Sequence, residues 1–192
     1  MTCSTVIPTT NDIARYDETA SINVWVGNLR KYNEGELSGD WISLPLPVGM
    51  DSGDVFTALG INLDTDEYFI ADMETEITGL EYDEYADLDE LNDIAETWDA
   101  LDDYERAAVM ARLELIDATF SDALANRDDV HIWHDCLDMT DVAYAYIEEC
   151  GILHDVPVEL QNYFDYEAFG RDLDLEGYFT YSADAGCMIE VF

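Results

Sequence analysis

Lysine is nearly missing from this sequence: Lys31 is the only one among 192 residues, and Lys and Arg together number seven against 45 Asp and Glu. The formal charge is −38. So lopsided a balance disfavours nucleic acid as a direct ligand, because phosphates meet repulsion everywhere outside the neighbourhood of Arg30 and Lys31, and it points to a basic partner. Cysteine is scarce as well. Cys3, Cys136, Cys150 and Cys187 form no CxxC pair and are too few for a disulfide framework in a chain this long, which fits reduced thiols in a cytosol. No apolar run approaches the ~18 residues of a membrane span. The first twenty residues have neither the basic nor the apolar region of a secretory leader. The expectation is a soluble, cytoplasmic protein without membrane contact. Glycine-rich phosphate loops and GxSxG are also missing, so nothing marks a nucleophile.

What the chain has is an ordinary core-building composition, 48% hydrophobic and 12% aromatic, with sustained periodicity that argues against disorder. The charge is most concentrated from Glu81 to Asp129, where 17 residues are Asp or Glu, three are Arg and none is Lys. The apolar residues there are ordered. At roughly 100° per residue, Leu88, Leu91, Ala95 and Trp98 fall within about 80° of one another, while Asp89, Glu90, Asp93 and Glu96 cover the opposite side. Asp87 with Glu90, and Asp102 with Glu105, have capping-box spacing ahead of two helical runs, Leu88 to Trp98 and Tyr104 to Ile116. A third helical segment lies near Ala118 to Asn126. Carboxylates on these helices are held in space by rigid backbone.

The flanking stretches read differently. Residues 1–21 are polar and Thr-rich, the reading being a loosely ordered arm. INVWVGNL from Ile22, DWISL and DEYFIADME read as strands, and Asp51 or Ser52 as the cap of a short helix through DVFTALGI; an α+β domain over 22–80 follows. After the acidic helical domain, 81–129, comes a second α+β domain, 130–192. In it HIWHDC is a short strand, Thr140 caps TDVAYAYIEEC before Gly151, and Pro157 opens a helix through VELQNYF. Asp165 begins YEAFGRDL, in which Glu167 and Arg171 are spaced for an ion pair. YFTYS and CMIEVF form a closing hairpin. Eleven of the 23 aromatic residues lie in these last 63, which makes this domain the expected site of a dimer interface.

With 45 carboxylates, a pair at any chosen spacing arises by chance, so paired acids carry no catalytic signature and no enzyme is expected. His131, His134, Asp135 and Cys136 lie close together, but a strand would point the two histidines to opposite faces, and they are read as structural. Asp172, Asp174, Glu176 and Gly177 mimic half of an EF-hand loop whose twelfth position, Ala183, lacks the required carboxylate. No metal and no cofactor is expected beyond weak divalent binding. Two readings of the acidity remain: halophilic adaptation, or imitation of a polyanion. Duplex DNA carries one charge per ~1.7 Å, so the charge of a dimer corresponds to roughly 130 Å of duplex, the footprint of a large DNA enzyme.

Two segments resemble the ArdA antirestriction family. In NVWVGNLRKYNEGELSGDWISLP the similarity rests on Asn28, Leu29, Lys31, Tyr32, Asn33, Glu34, Gly35, Leu37, Gly39 and Trp41. In ILHDVPVELQNYFDYEAFGRDL it rests on Pro157 and the run from Tyr163 to Arg171. The resemblance implies an elongated, three-domain α+β protein that dimerises through its C-terminal domain and mimics bent B-form DNA. It implies binding to the methyltransferase core of type I restriction-modification enzymes, to the protection of mobile elements. The expected phosphate surrogates, from the densest array, are Asp87, Glu90, Asp93, Glu96, Asp99, Asp103, Glu114, Asp117 and Asp122. By resemblance the antirestriction motif falls at about Ile152 to Asp165, with Asp155, Val156, Pro157, Tyr163, Phe164, Asp165, Tyr166 and Glu167 as motif and dimer-interface candidates. The alternative is a generic acidic module, halophilic or histone-chaperone-like, that binds basic proteins without a DNA-shaped requirement.

Overall fold

A computed structural model describes Ile13 and residues 15–192. Contacts gather into two compact units that divide between Leu101 and Asp102. The first contains β1 (Ile22–Asn28), α1 (Leu29–Asn33), β2 (Gly39–Leu44), α2 (Ser52–Leu59), β3 (Tyr68–Thr75) and α3 (Leu88–Ala100). The second contains α4 (Asp103–Ile116), α5 (Phe120–Ala125), β4 (Val130–Trp133), α6 (Met139–Cys150), α7 (Val158–Gln161), α8 (Tyr166–Glu176), β5 (Tyr178–Ser182) and β6 (Cys187–Val191). Both units are α+β with a three-stranded antiparallel sheet, ordered β2-β1-β3 and β4-β6-β5.

In the first unit β1 is central and buried along nearly its whole length. Ile22, Val24 and Val26 are fully buried. The intervening Asn23 is buried too, and its amide is satisfied by the backbone of Asp17 and by Ser43. Residues 15–21 therefore do not behave as the loose arm expected: the Arg15 carbonyl accepts from Ser43 Oγ, and the Tyr16 hydroxyl donates to Glu74. The rest of that arm, 1–12 and 14, lies outside the described residues, as does Cys3. Gly39 is needed because a Cβ there would overlap the Val26 carbonyl and the Trp25 ring. The short helix α1 forms although its stretch ends in Asn33 and Gly35, residue types that favour turns. Asn28 supplies its cap by accepting from Lys31 N–H.

The helix α3 packs toward β2 through Leu88, Leu91, Ala95 and Trp98, all buried as the periodicity implies. Burial of Leu88 or Leu91 contributes roughly 1.5–3 kcal/mol each, against roughly 0–1 kcal/mol for an individual exposed charge interaction. Burial wins, which is how so acidic a helix stays docked. Polar ties add to it: Asn92 accepts from Leu46 N–H, Asp89 receives Ser52 N–H and Oγ, and Trp98 Nε1 donates to Glu76. Asp87 caps α3 alone, accepting from Asp89 and Glu90 N–H, without the reciprocal Glu90 bond expected of a capping box. Asp51 with Asp54, and Asp102 with Glu105, do form reciprocal boxes on α2 and α4.

In the second unit both faces of β6 are used. Cys187, Ile189 and Val191 meet Ala107 and Ala111 of α4, while Met188 meets Trp133, Cys136 and Val142 on the other side. The helices α6 and α8 pack closely, and Gly170 permits it: a Cβ there would overlap the Met139 carbonyl. Several local expectations shift. Asp138, not Thr140, caps α6, with Gly151 in the left-handed conformation at its end. Pro157 precedes α7 as its cap, and the helix stops at Gln161 rather than continuing through Phe164. Arg171 pairs with Asp172 instead of Glu167. Asp172, Asp174 and Glu176 lie on α8, so the half EF-hand pattern is helix, not loop. Among the described residues no helix is long and apolar enough to cross a membrane.

Candidate protein-interaction surfaces

The nine expected phosphate surrogates are all exposed. Asp87, Glu90, Asp93, Glu96 and Asp99 belong to α3 or its cap in the first unit; Asp103, Glu114, Asp117 and Asp122 stand on or beside α4 and α5 in the second. They are not equivalent. Asp87 and Asp122 serve helix starts, the latter bonded to Thr119, and Glu96 accepts from Asn92. Asp117 occupies the left-handed position that ends α4, with φ of 54°. Glu90 and Asp93 project from the exposed side of α3, opposite its four buried residues.

The basic residues are mostly engaged internally, which leaves the acid in excess at the surface. Arg15 pairs with Asp40, Lys31 with Glu36, Arg127 with Glu105 and Arg171 with Asp172. Arg112 is buried and donates to the Asp129 carbonyl. Arg30 donates through Nε to Asp66 at 2.6 Å and through Nη1 to Glu34 at 3.2 Å. Asp66 is buried and also accepts from Asn28 Nδ2 and Asn62 N–H. The Arg30 hydrogen bond, then that from Asn62, lowers its carboxyl pKa to about 2 despite burial. The Arg30 and Lys31 region, the one place a phosphate could have been tolerated, is thus a clasp closed on the protein's own carboxylates. Sequence reasoning missed Asp66, which lies 38 positions from Asn28 and carries no local signal for that pairing.

The C-terminal candidates divide into outward and inward groups. Asp155, Pro157, Tyr163, Asp165 and Glu167 are exposed, while Val156, Phe164 and Tyr166 are half-buried. Tyr163 is 85% exposed, with Val158, Leu160 and Ile152 also exposed nearby in sequence. Phe164 instead packs edge-on against Tyr166 and Phe169, and Tyr166 stacks on Tyr144 with ring centroids 3.6 Å apart. Asp165 caps α8 by accepting from Ala168 N–H. Gln161, unnoticed in the sequence, donates to the carbonyls of Leu153 and Val156 and fixes the loop before α7.

His131 and His134 do not converge on a common point. His131 lies against the Trp133 ring and His134 against Tyr104. Among the described residues no three His, Cys, Asp or Glu side chains come together as a metal site. Of the described cysteines, Cys136 and Cys187 are buried, which pushes both thiols above their ordinary pKa, and Cys150 is exposed.

Fold and surface together define an acidic α+β protein whose exposed carboxylates stand on anchored helices. The family model described as antirestriction protein (ArdA) matches residues 24–186, most of the 192, and the chain belongs to that family. Its function is accordingly antirestriction, in a family of inhibitor proteins. A comparison with curated proteins returned no match.

Proposed function

We propose that this protein relieves restriction by mimicking B-form DNA, occupying the positively charged DNA groove of a type I restriction-modification enzyme at its methyltransferase core. The observation that carries the reading is the state of α3: four buried residues dock it, and its opposite face offers Glu90 and Asp93 to solvent at fixed positions. Carboxylates along a helix advance by a few ångströms per step, comparable with phosphate spacing. Lys and Arg side chains already arranged for phosphates pair with such a surface without covalent chemistry. The chain does not itself bind nucleic acid, its net charge of −38 opposing it.

The same reading makes the protein a homodimer through its C-terminal region, supported by the exposed Tyr163, Val158 and Leu160. The test is displacement of a fluorescent duplex of ~40 base pairs, the length whose charge a dimer matches, from a purified type I methyltransferase core, with an unrelated basic DNA-binding protein as control. Selective displacement near one dimer per enzyme, weakening as salt rises, is expected. Equal displacement from both proteins would mean a generic polyanion, whether halophilic or histone-chaperone-like.

A further inference from the structure

The first unit carries a hollow of about 380 Å³ lined by Leu29, Leu63, Asp66, Glu67, Tyr68 and Tyr85. Its walls are mixed in a specific way. Leu63 and Tyr85 are large apolar groups left 56% and 69% exposed, so they cover no core. Tyr68 is held from both sides: its ring lies 4.6 Å from that of Phe56, and its hydroxyl donates to the Ala86 carbonyl while accepting from Leu88 N–H. Tyr85 is positioned by its backbone N–H bond to Asp83. Of the two carboxylates, Asp66 is already saturated by Arg30, Asn28 and Asn62. Glu67 is exposed, and the Tyr85 phenol pKa is raised first by its hydrogen bond to Glu84 and by the Glu84 charge, with burial and the Glu67 charge adding less. Two neighbouring hollows share lining residues with this one, Leu29 and Glu67 in one and Leu63 in the other.

We infer that this hollow takes an arginine side chain of the basic partner, its aliphatic stem along Leu29 and Leu63 and its guanidinium between the aromatic faces of Tyr68 and Tyr85 and the Glu67 carboxylate. The charge of the surroundings selects a cation. The apolar and aromatic walls select one with a long stem and a flat, weakly hydrated head, which is arginine rather than lysine. A phosphate-like lattice is indifferent to such detail, because it offers point charges in solvent. This inference rests on the reading that the protein binds a basic DNA enzyme, and it adds a contact of shape to contacts of charge.

The test is an amide-resolved NMR titration of the full chain with N-acetylarginine amide, N-acetyllysine amide and N-acetylnorleucine amide. Shifts at Leu63, Glu67 and Tyr85 at least threefold larger than those around Glu90 and Asp93, greatest for the arginine probe and lost in Tyr85→Ala and Glu67→Gln, are expected. Uniform shifts over the acidic surface, or an equal response to the norleucine probe, would overturn the inference. Duplex displacement from the methyltransferase is measured in parallel. Tyr85→Ala is expected to weaken it about fivefold at every salt concentration, the size of one cation–π contact, with the salt slope unchanged. Arginine-selective shifts without any displacement would sink the proposed function and leave the hollow standing. Displacement that Tyr85→Ala does not alter, with no arginine-selective shift, would sink the hollow alone.

Discussion

The two segments by which this chain resembles its family lie in different units and each combines packed and exposed residues. In the first, Asn28 is buried, caps α1 and donates to Asp66, and Gly39 makes room for Trp25 against the Val26 carbonyl. In the second, Tyr163 is almost wholly exposed and α7 buries no residue. Each signature thus mixes residues that hold elements together, Asn28 in the first and Phe164 and Gly170 in the second, with residues left at the surface, Tyr32 and Leu37 in the first and Tyr163 and Glu167 in the second. A motif recognised in a sequence is therefore not by itself a binding site, and the direction its side chains take decides which it is.

The sharpest break in that comparison lies inside the second signature, at Gly170. Gly170→Ala forces a methyl group into the Met139 carbonyl and is expected to cost about 3 kcal/mol, at the upper end for overpacking because backbone cannot swing aside. Urea unfolding followed by circular dichroism measures it; a cost below 1 kcal/mol would show that α6 and α8 separate easily. In the first signature, Asn28→Ala removes a helix cap and leaves Asp66 short of a donor, at about 2–3 kcal/mol. Fluorescence of Trp25, Trp41 and Trp98 follows the unit concerned.

Acid titration tests the same clasp without mutation. The folded Asp66 carboxyl has a pKa of about 2, below its ordinary value near 4. Its contribution to stability is complete above the unfolded pKa and is lost as the pH falls through the folded one, between about pH 4 and pH 2. Arg30→Met, which removes the largest cause of the shift, is expected to shrink that loss; an unchanged acid profile would place the cause elsewhere.

Smaller effects separate the outward residues. Tyr163→Ala is expected to change stability by no more than about 0.5 kcal/mol while weakening self-association in sedimentation. Phe164→Ala, which loses ring contacts with Tyr166 and Phe169, destabilises the unit by about 1–2 kcal/mol. If Tyr163→Ala stayed dimeric yet lost inhibition, the residue would contact the target instead. On the acidic surface, Asp93→Lys is expected to weaken duplex displacement by no more than about 1 kcal/mol, since one exposed charge among many contributes little. Abolished inhibition in a folded protein would show that the acidic surface acts through a single site.

Much of the local structure was legible in the residues. The strands at Ile22–Asn28, Gly39–Leu44 and Tyr68–Thr75, the buried stripe of α3, the Asp102 capping box and the closing hairpin all appear where periodicity and capping chemistry place them. These features depend on neighbours within a few positions, so sequence carries them. Misplacements such as Asp138 for Thr140 at the α6 cap, or Arg171 turning to Asp172, arose where several residues of equal local merit competed and packing chose one.

What the sequence by itself determined is the excess of acid, the helices that display it and the family to which the chain belongs. Only the tertiary structure decided that Asp66 is buried against Arg30 while Asp89, though bonded to Ser52, remains at the surface. It alone brought Leu29, Glu67 and Tyr85 around one hollow, and it alone separated the packed from the exposed residues within each signature. The physical reason is that an ion pair or a pocket depends on distances between residues far apart in the chain, and those distances exist only after the hydrophobic core has closed.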